Sequence, residues 1–169
     1  MIRLLPTFAL LLAALAPNTL AAQSGARLAF PDSGFSIEPF EAEVPESVHT
    51  PLMMFLPSTG GFAANVNVQI QPFEGDLQGY LDISAGQFED AGIEVLSSKL
   101  VSEGVAVLEY TGPLQGNDLH WYARAIQQPG RIFLVTASLL AEQWEELGEK
   151  ARRCVDSFEL TATASDAGE

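Results

Sequence analysis

The sequence predicts an α+β domain, an antiparallel β-sheet flanked by helices. Three observations lead there. Asn65 to Gln71 alternates without a break between amide and apolar side chains, with Val66, Val68 and Ile70 on one side, the period of a strand. Four further strand candidates lie between residues 93 and 137, joined by turns too short for a parallel crossover, which needs a dozen or more residues. Two helical stretches, one before this run and one after it, carry apolar faces that can cover a sheet.

The chain of 169 residues opens on Met1-Ile2-Arg3, an apolar run from Leu4 to Ala16, then Pro17 and the small residues Ala21-Ala22. One positive charge, a short hydrophobic stretch and an Ala-rich exit read as a secretory signal peptide over 1–22, cut after Ala21 or Ala22. The run of about 13 residues falls short of the roughly 20 that span a bilayer. The expected domain is a single unit over 23–160, followed by a disordered polar tail over 161–169. No cysteine lies near the cut to carry a lipid.

Pro31-Asp32-Ser33-Gly34 is a turn cluster, and Phe35 to Phe40 after it reads as extended. Glu41 to Thr50, acidic and interrupted by Pro45, reads as a loop. Pro51 to Pro57 encloses a short apolar strand, and Ser58-Thr59-Gly60-Gly61 supplies hairpin turn chemistry. Pro72 ends the alternating strand because it cannot donate to a ladder.

Asp76 caps a helix over Leu77 to Asp90. Leu77, Tyr80, Leu81, Ser84, Phe88 and Ala91 share one face of it. Gly79 and Gly86 weaken it by about 1 kcal/mol each, so it depends on packing. The next strands are expected over Ile93–Val101, Val105–Thr111, Leu119–Gln127 and Arg131–Ala137. Val105 to Leu108 and Ile132 to Val135 are apolar on both faces, which marks central strands covered on each side. A last helix over Ala141 to Asp156 buries Trp144, Leu147, Ala151, Val155 and Phe158, with Cys154 beside them. Acids near its start and Lys150, Arg152 and Arg153 near its end suit the helix dipole. Glu146–Lys150 and Glu149–Arg153 are spaced as i,i+4 pairs. The two helices lie one on each face of the sheet, or together on one side.

Composition narrows the function. Hydrophobic residues make up 47% and charged residues 18%, a globular profile. Eight Lys+Arg stand against 22 Asp+Glu, a formal net charge of −14, which argues against an electrostatic hold on nucleic acid or anionic lipid. Two histidines and one cysteine are too few for a Cys/His zinc site. Cys154 has no partner within the chain, so no internal disulfide supports the fold.

Phe62-Ala63-Ala64-Asn65-Val66-Asn67-Val68, the helix and meander after it, Phe133-Leu134-Val135-Thr136-Ala137, and a final helix closing on Ser157-Phe158 together resemble the PsbP/Mog1-like superfamily. The resemblance is to its bacterial envelope branch, the DcrB-like and DUF1795-type proteins, and runs from about Phe35 to Leu160. It implies an α/β/α sandwich around an antiparallel sheet. It also implies a binding or accessory role, since members serve as photosystem subunits, a small-GTPase partner, envelope lipoproteins and secretion-associated chaperones. The envelope branch's lipid-anchoring cysteine and the basic residues of a membrane-docking surface are both missing here.

No catalytic motif stands out. His49 and His120 are far apart and belong to no triad or metal spacing, and no nucleophile elbow, phosphate loop or His-Glu-x-x-His occurs. Glu74 to Gly79 imitates the start of a calcium loop, but the twelfth position is Ala85, where a bidentate Glu is required. Cys154 reads as a core thiol. The row Asn65, Asn67, Gln69 and Gln71 offers amides that could bond a polar ligand or a partner's backbone; an ordinary solvated sheet face is the simpler explanation. Trp121 is a candidate binding aromatic, or it packs under a helix.

The expected function is therefore that of a non-enzymatic, secreted or periplasmic binding or accessory protein of the cell envelope that engages a protein partner. No cofactor, metal or nucleic acid is expected, and no integral membrane segment after cleavage. The alternatives are a carrier of a small amphipathic ligand held between helix and sheet, and an enzyme with an unrecognised site. Intact-mass spectrometry of the exported protein should find a chain beginning at Ala22 or Gln23; retention of Met1 would refute the leader.

Overall fold

Residues 27–38 and 47–161 are described by the computed structural model of the chain, which divides into two compact units, Met1–Glu43 and Val44–Glu169. The expected leader and all of the expected tail except Thr161 lie outside the described residues.

The first unit holds a small antiparallel hairpin, β1 (Leu28–Phe30) and β2 (Phe35–Ile37). A 3₁₀ turn over Pro31–Ser33 joins them, and Gly34 takes the positive φ of 73° that reverses the chain. Phe30 and Phe35 stack at 4.8 Å, and Arg27 pairs with Glu38 at 2.8 Å. The sequence reading found the second strand and missed the first, because three residues give no measurable period.

The second unit is built on six strands: β3 (His49–Phe55), β4 (Asn65–Pro72), β5 (Glu94–Ser102), β6 (Val105–Leu114), β7 (Asn117–Gln128) and β8 (Arg131–Leu140). All neighbours run antiparallel, in the order β3-β4-β8-β7-β6-β5. The helices are α1 (Leu77–Asp90) and α2 (Trp144–Asp156), the latter entered through a 3₁₀ turn over Ala141–Gln143. The mixed α+β class with an antiparallel sheet and two flanking helices is therefore as the sequence predicts.

Each strand boundary has a local cause. The loop expected over 112–118 contracts to a two-residue turn: β6 and β7 run on to Leu114 and Asn117, with Gln115 at φ 52° and Gly116 at φ 84°. Successive positive φ values match the twist of paired strands, and Gly116 adopts its value without steric cost. Asp76 caps α1, its Oδ1 accepting from the Gly79 amide at 2.7 Å.

The helices take opposite faces. Leu77 and Leu81 of α1 pack with Ala106, Leu108, Tyr110, Trp121 and Ala123. Ala151 and Val155 of α2 pack with Val68, Tyr122, Val135, Ala137 and Leu139. Alternation along β7 divides the two cores, since Trp121 and Ala123 face α1 while Tyr122 between them faces α2. β8 is buried on both sides from Val135 to Leu140, as expected of a central strand.

Candidate functional site

β3 lies at one edge of the sheet, and its residues are apolar on both faces. Leu52 and Met54 point toward the α2 side, paired with Val68 and Val66; Met53 points toward the α1 side, paired with Asn67. Leu52 through Leu56 are all exposed, Phe55 the most at 61%. Between this edge and α2 opens a cleft of about 250 Å³. Met54, Val66 and Leu139 line its sheet side, Leu147 and Ala151 its helix side, and Lys150 and Cys154 complete it. The lining is apolar almost throughout.

Lys150 does not make the expected i,i+4 pair with Glu146. Among the described residues the helix's one intrahelical ion pair is Arg153–Glu149 at 3.3 Å. Such exposed pairs contribute only about 0.3–0.5 kcal/mol, so little holds the lysine to its own helix surface, and its side chain lies along the cleft instead. Cys154, expected in the core, is half-buried and lines the same cleft.

A polar cluster ties α2 to the sheet beside the cleft. Glu109 Oε1 on β6 accepts from Arg152 Nη2 at 2.8 Å and from His120 Nε2 at 2.9 Å. Burial alone would raise the Glu109 carboxyl, but the hydrogen bonds and charges of Arg152 and His120 outweigh it and hold the group below its ordinary range. The His120 ring stacks on Trp144 at 3.7 Å, and the Arg152 guanidinium lies 4.9 Å from the Trp144 ring and 5.7 Å from that of Tyr122. Gly148 makes this possible. A Cβ there would come within 3.0 Å of the Trp144 indole, so a glycine that costs an isolated helix about 1 kcal/mol lets the indole fold back along α2.

The far end of α2 is fastened too. Tyr122 Oη donates to Asp156 Oδ1 at 3.0 Å, and Arg124 Nη1 donates to the carbonyls of Asp156 and Phe158 at 2.9 and 3.0 Å. The cation satisfies carbonyls at the negative end of the helix dipole. Burial and the neighbouring carboxylate push the Tyr122 hydroxyl up to about 12. The cluster as a whole is a clamp that fastens α2 to β6 and β7.

The amide row lies on the α1 face, where Met53 and Thr136 flank Asn67. It is not a freely solvated face. Asn67 is only 9% exposed, Asn65 and Gln69 are half-buried, and Gln71 Oε1 accepts from the Tyr80 hydroxyl at 3.0 Å. Asn67 Oδ1 is buried with no hydrogen-bond partner among the described residues. Trp121 is in the α1 core at 6% exposure, stacked on Tyr110 at 5.1 Å. His49 sits at the start of β3 and donates to the Ser47 carbonyl at 3.1 Å. The residues singled out in the sequence thus do not converge: the amides and Trp121 share the α1 face, whereas His120 and Cys154 lie on the α2 side.

Sequence reasoning missed Glu109, Arg152, Gly148 and Lys150. The first two meet across 43 residues with no local signal; the unbroken apolar run Leu52–Leu56 was the available hint of the cleft's outer wall. Among the described residues, no group of three or more His, Cys, Asp or Glu side chains could hold a metal ion. No helix there is long and apolar enough to cross a membrane.

The chain matches no protein-family profile and no curated protein. Among solved structures it is similar to a Pseudomonas aeruginosa protein of unknown function, with a TM-score of 0.54 and 15% identity over 82% of this chain and 98% of that one. That likeness shows a shared fold. A second similar structure is the solution structure of cyanobacterial PsbP from Synechocystis, with a TM-score of 0.46 and 13% identity over 72% of this chain and 96% of the other.

Two variants test this geometry. Glu109 has a depressed pKa in the folded chain, so its contribution is complete above the unfolded value near ~4.3 and is lost as pH falls through the lower folded value. Glu109→Gln should therefore cost about 1–2 kcal/mol at pH 7, the low end for charged hydrogen bonds because Arg152 is partly solvated. Denaturant titrations at pH 7 and pH 3 should show that penalty shrink in acid; an equal penalty at both would deny an ionised carboxylate. Asn67→Leu removes a buried carbonyl oxygen without a partner among the described residues, at the loss of one long Nδ2–Asn65 Oδ1 contact of 3.5 Å, and should be neutral or stabilising by about 1 kcal/mol, read as the denaturant midpoint; a loss of 2 kcal/mol or more would mean the oxygen is satisfied.

Proposed function

We propose that this chain is an exported, non-enzymatic binding protein that engages a protein partner along the free edge of β3. One observation carries the reading. Among the described residues, Leu52 to Phe55 presents unpaired backbone groups on its outer side and exposed apolar side chains on both faces. An open, uncharged apolar edge is a template for another strand, and proteins normally blunt such edges with charge, proline or bulges. Strand addition supplies main-chain hydrogen bonds, with alternate side chains setting specificity.

The opposite edge makes the contrast. β5 carries Glu94 and Lys99, interleaves Ser97 and Ser98 among its apolar residues, and has two register irregularities against β6. Those are the devices that keep edges apart. In β3 the proline and the register irregularity both fall before Leu52, leaving the apolar stretch unprotected.

Export is supported by the leader-like N-terminus, and a place in the DcrB-like, DUF1795-type envelope branch by the element order. A non-enzymatic role is supported by the state of His120, whose Nε2 is held by Glu109 and whose ring is covered by Trp144. The net charge of −14 favours encounters with a cationic partner.

Affinity capture from envelope extract, with the full chain as bait, tests the reading. Met53→Glu places a charge on the edge without touching the cleft and should reduce the captured partner at least tenfold at unchanged melting temperature. Capture undiminished by that variant would overturn the β3 edge as the docking element.

A further inference from the structure

We infer that the cleft between β3 and α2 is a binding site for a medium-chain fatty carboxylate, its alkyl chain in the apolar cavity and its carboxylate on Lys150. This does not rest on the partner reading, which concerns the strand edge and not the cavity.

The cavity sets the tail. Its volume of about 250 Å³ corresponds to roughly eight water-sized groups at ~30 Å³ each. Walls of Met54, Val66, Leu139, Leu147 and Ala151 offer water few polar partners, so an apolar guest gains by displacing it. A site with apolar walls and a single polar group is the usual form of a small-molecule pocket.

Lys150 sets the head. Arg27, Arg152 and Arg153 each pair with a carboxylate. Lys99, Arg124, Arg131 and Lys150 pair with none among the described residues, and of these four only Lys150 lines the cleft. An uncompensated ammonium beside an apolar cavity, in a chain of formal charge −14, complements an anionic head on an apolar tail. The overall negative charge does not forbid this, because charges beyond about 8 Å are screened at physiological ionic strength. A neutral amphiphile of equal length would fill the cavity and leave the lysine without its counter-ion, and a cationic one would set like charge against Lys150 and be kept out.

Chain length and charge then become separable. Each added methylene gains while it is being buried, so affinity should climb from hexanoate to about decanoate and level off once the cavity is full. Reversing the cation should weaken every member of the series by a similar factor.

Cys154 in the cleft wall is a built-in reporter. The test measures the rate at which a maleimide labels Cys154 of the full chain under hexanoate, octanoate, decanoate and dodecanoate below their micelle-forming concentrations, with decyltrimethylammonium as the cationic control. A calorimetric titration of decanoate runs in parallel. Saturable protection of at least fivefold is expected, with dissociation constants about tenfold weaker in Lys150→Glu, near wild type in Lys150→Arg, and no protection by the cation. Absence of both protection and heat would overturn the site. Equal affinity in wild type and Lys150→Glu would overturn the role of Lys150. Met53→Glu, on the other face of β3, should leave decanoate binding intact whatever happens to partner capture. If a captured partner shields Cys154 and decanoate does not, the cleft belongs to the protein interface and this inference fails.

Discussion

The architecture depends on a strand that is buried on both faces. β8 lies between β4 and β7 and is buried from Val135 to Leu140, so each side of the sheet must be covered there. α1 covers one and α2 the other. A helix about 10 Å across spans roughly two strands at ~4.8 Å spacing, so two single helices cannot roof six strands. Exposed outer strands follow from that mismatch of widths. The free edge of β3 and the gap beside α2 are both products of it.

How α2 is held decides the shape of that gap. The Glu109–Arg152–His120 cluster fixes the helix over β6 and β7, Arg124 fastens its C-terminal carbonyls, and Ala151 and Val155 bury its apolar stripe. All these anchors draw the helix toward β7 and β8. Among the described residues the side of α2 facing β3 has no comparable tie, and there Lys150 and Cys154 meet Met54 across open space. Strong fastening on one flank and an unfilled wedge on the other are two aspects of one placement.

The fold was legible where hydrophobic period is strong. Asn65–Gln71 alternates cleanly and is a strand; Leu77–Asp90 has a cap, a stripe and a stop, and matches the observed helix residue for residue. Legibility failed where three-dimensional neighbours decide. Alternation places the amides of β4 on one face but cannot say that α1 half-covers it, so Asn67 is buried where a solvated side chain was the simpler expectation. An i,i+4 spacing permits Glu146–Lys150 without requiring it, and Lys150 lines the cleft with no such pair. Glu109 and Arg152 carry no mutual signal because only the sheet register and the seat of α2 bring them together. Cys154 sits on the rim of the helical stripe, one residue from the fully buried Val155, and a turn of 100° separates core from cleft.

The pairing of β4 with β8 has a kinetic meaning. Asn65 lies opposite Ser138 and Pro72 opposite Arg131, so the N-terminal hairpin of the sheet finds its neighbour only after the whole meander exists. Contacts so distant along the chain carry a loop-closure cost before they return any stabilisation, and no crosslink within the chain can shorten the wait, since it has a single cysteine. A polypeptide with this topology acquires its tertiary structure late, once nearly all of it has been synthesised.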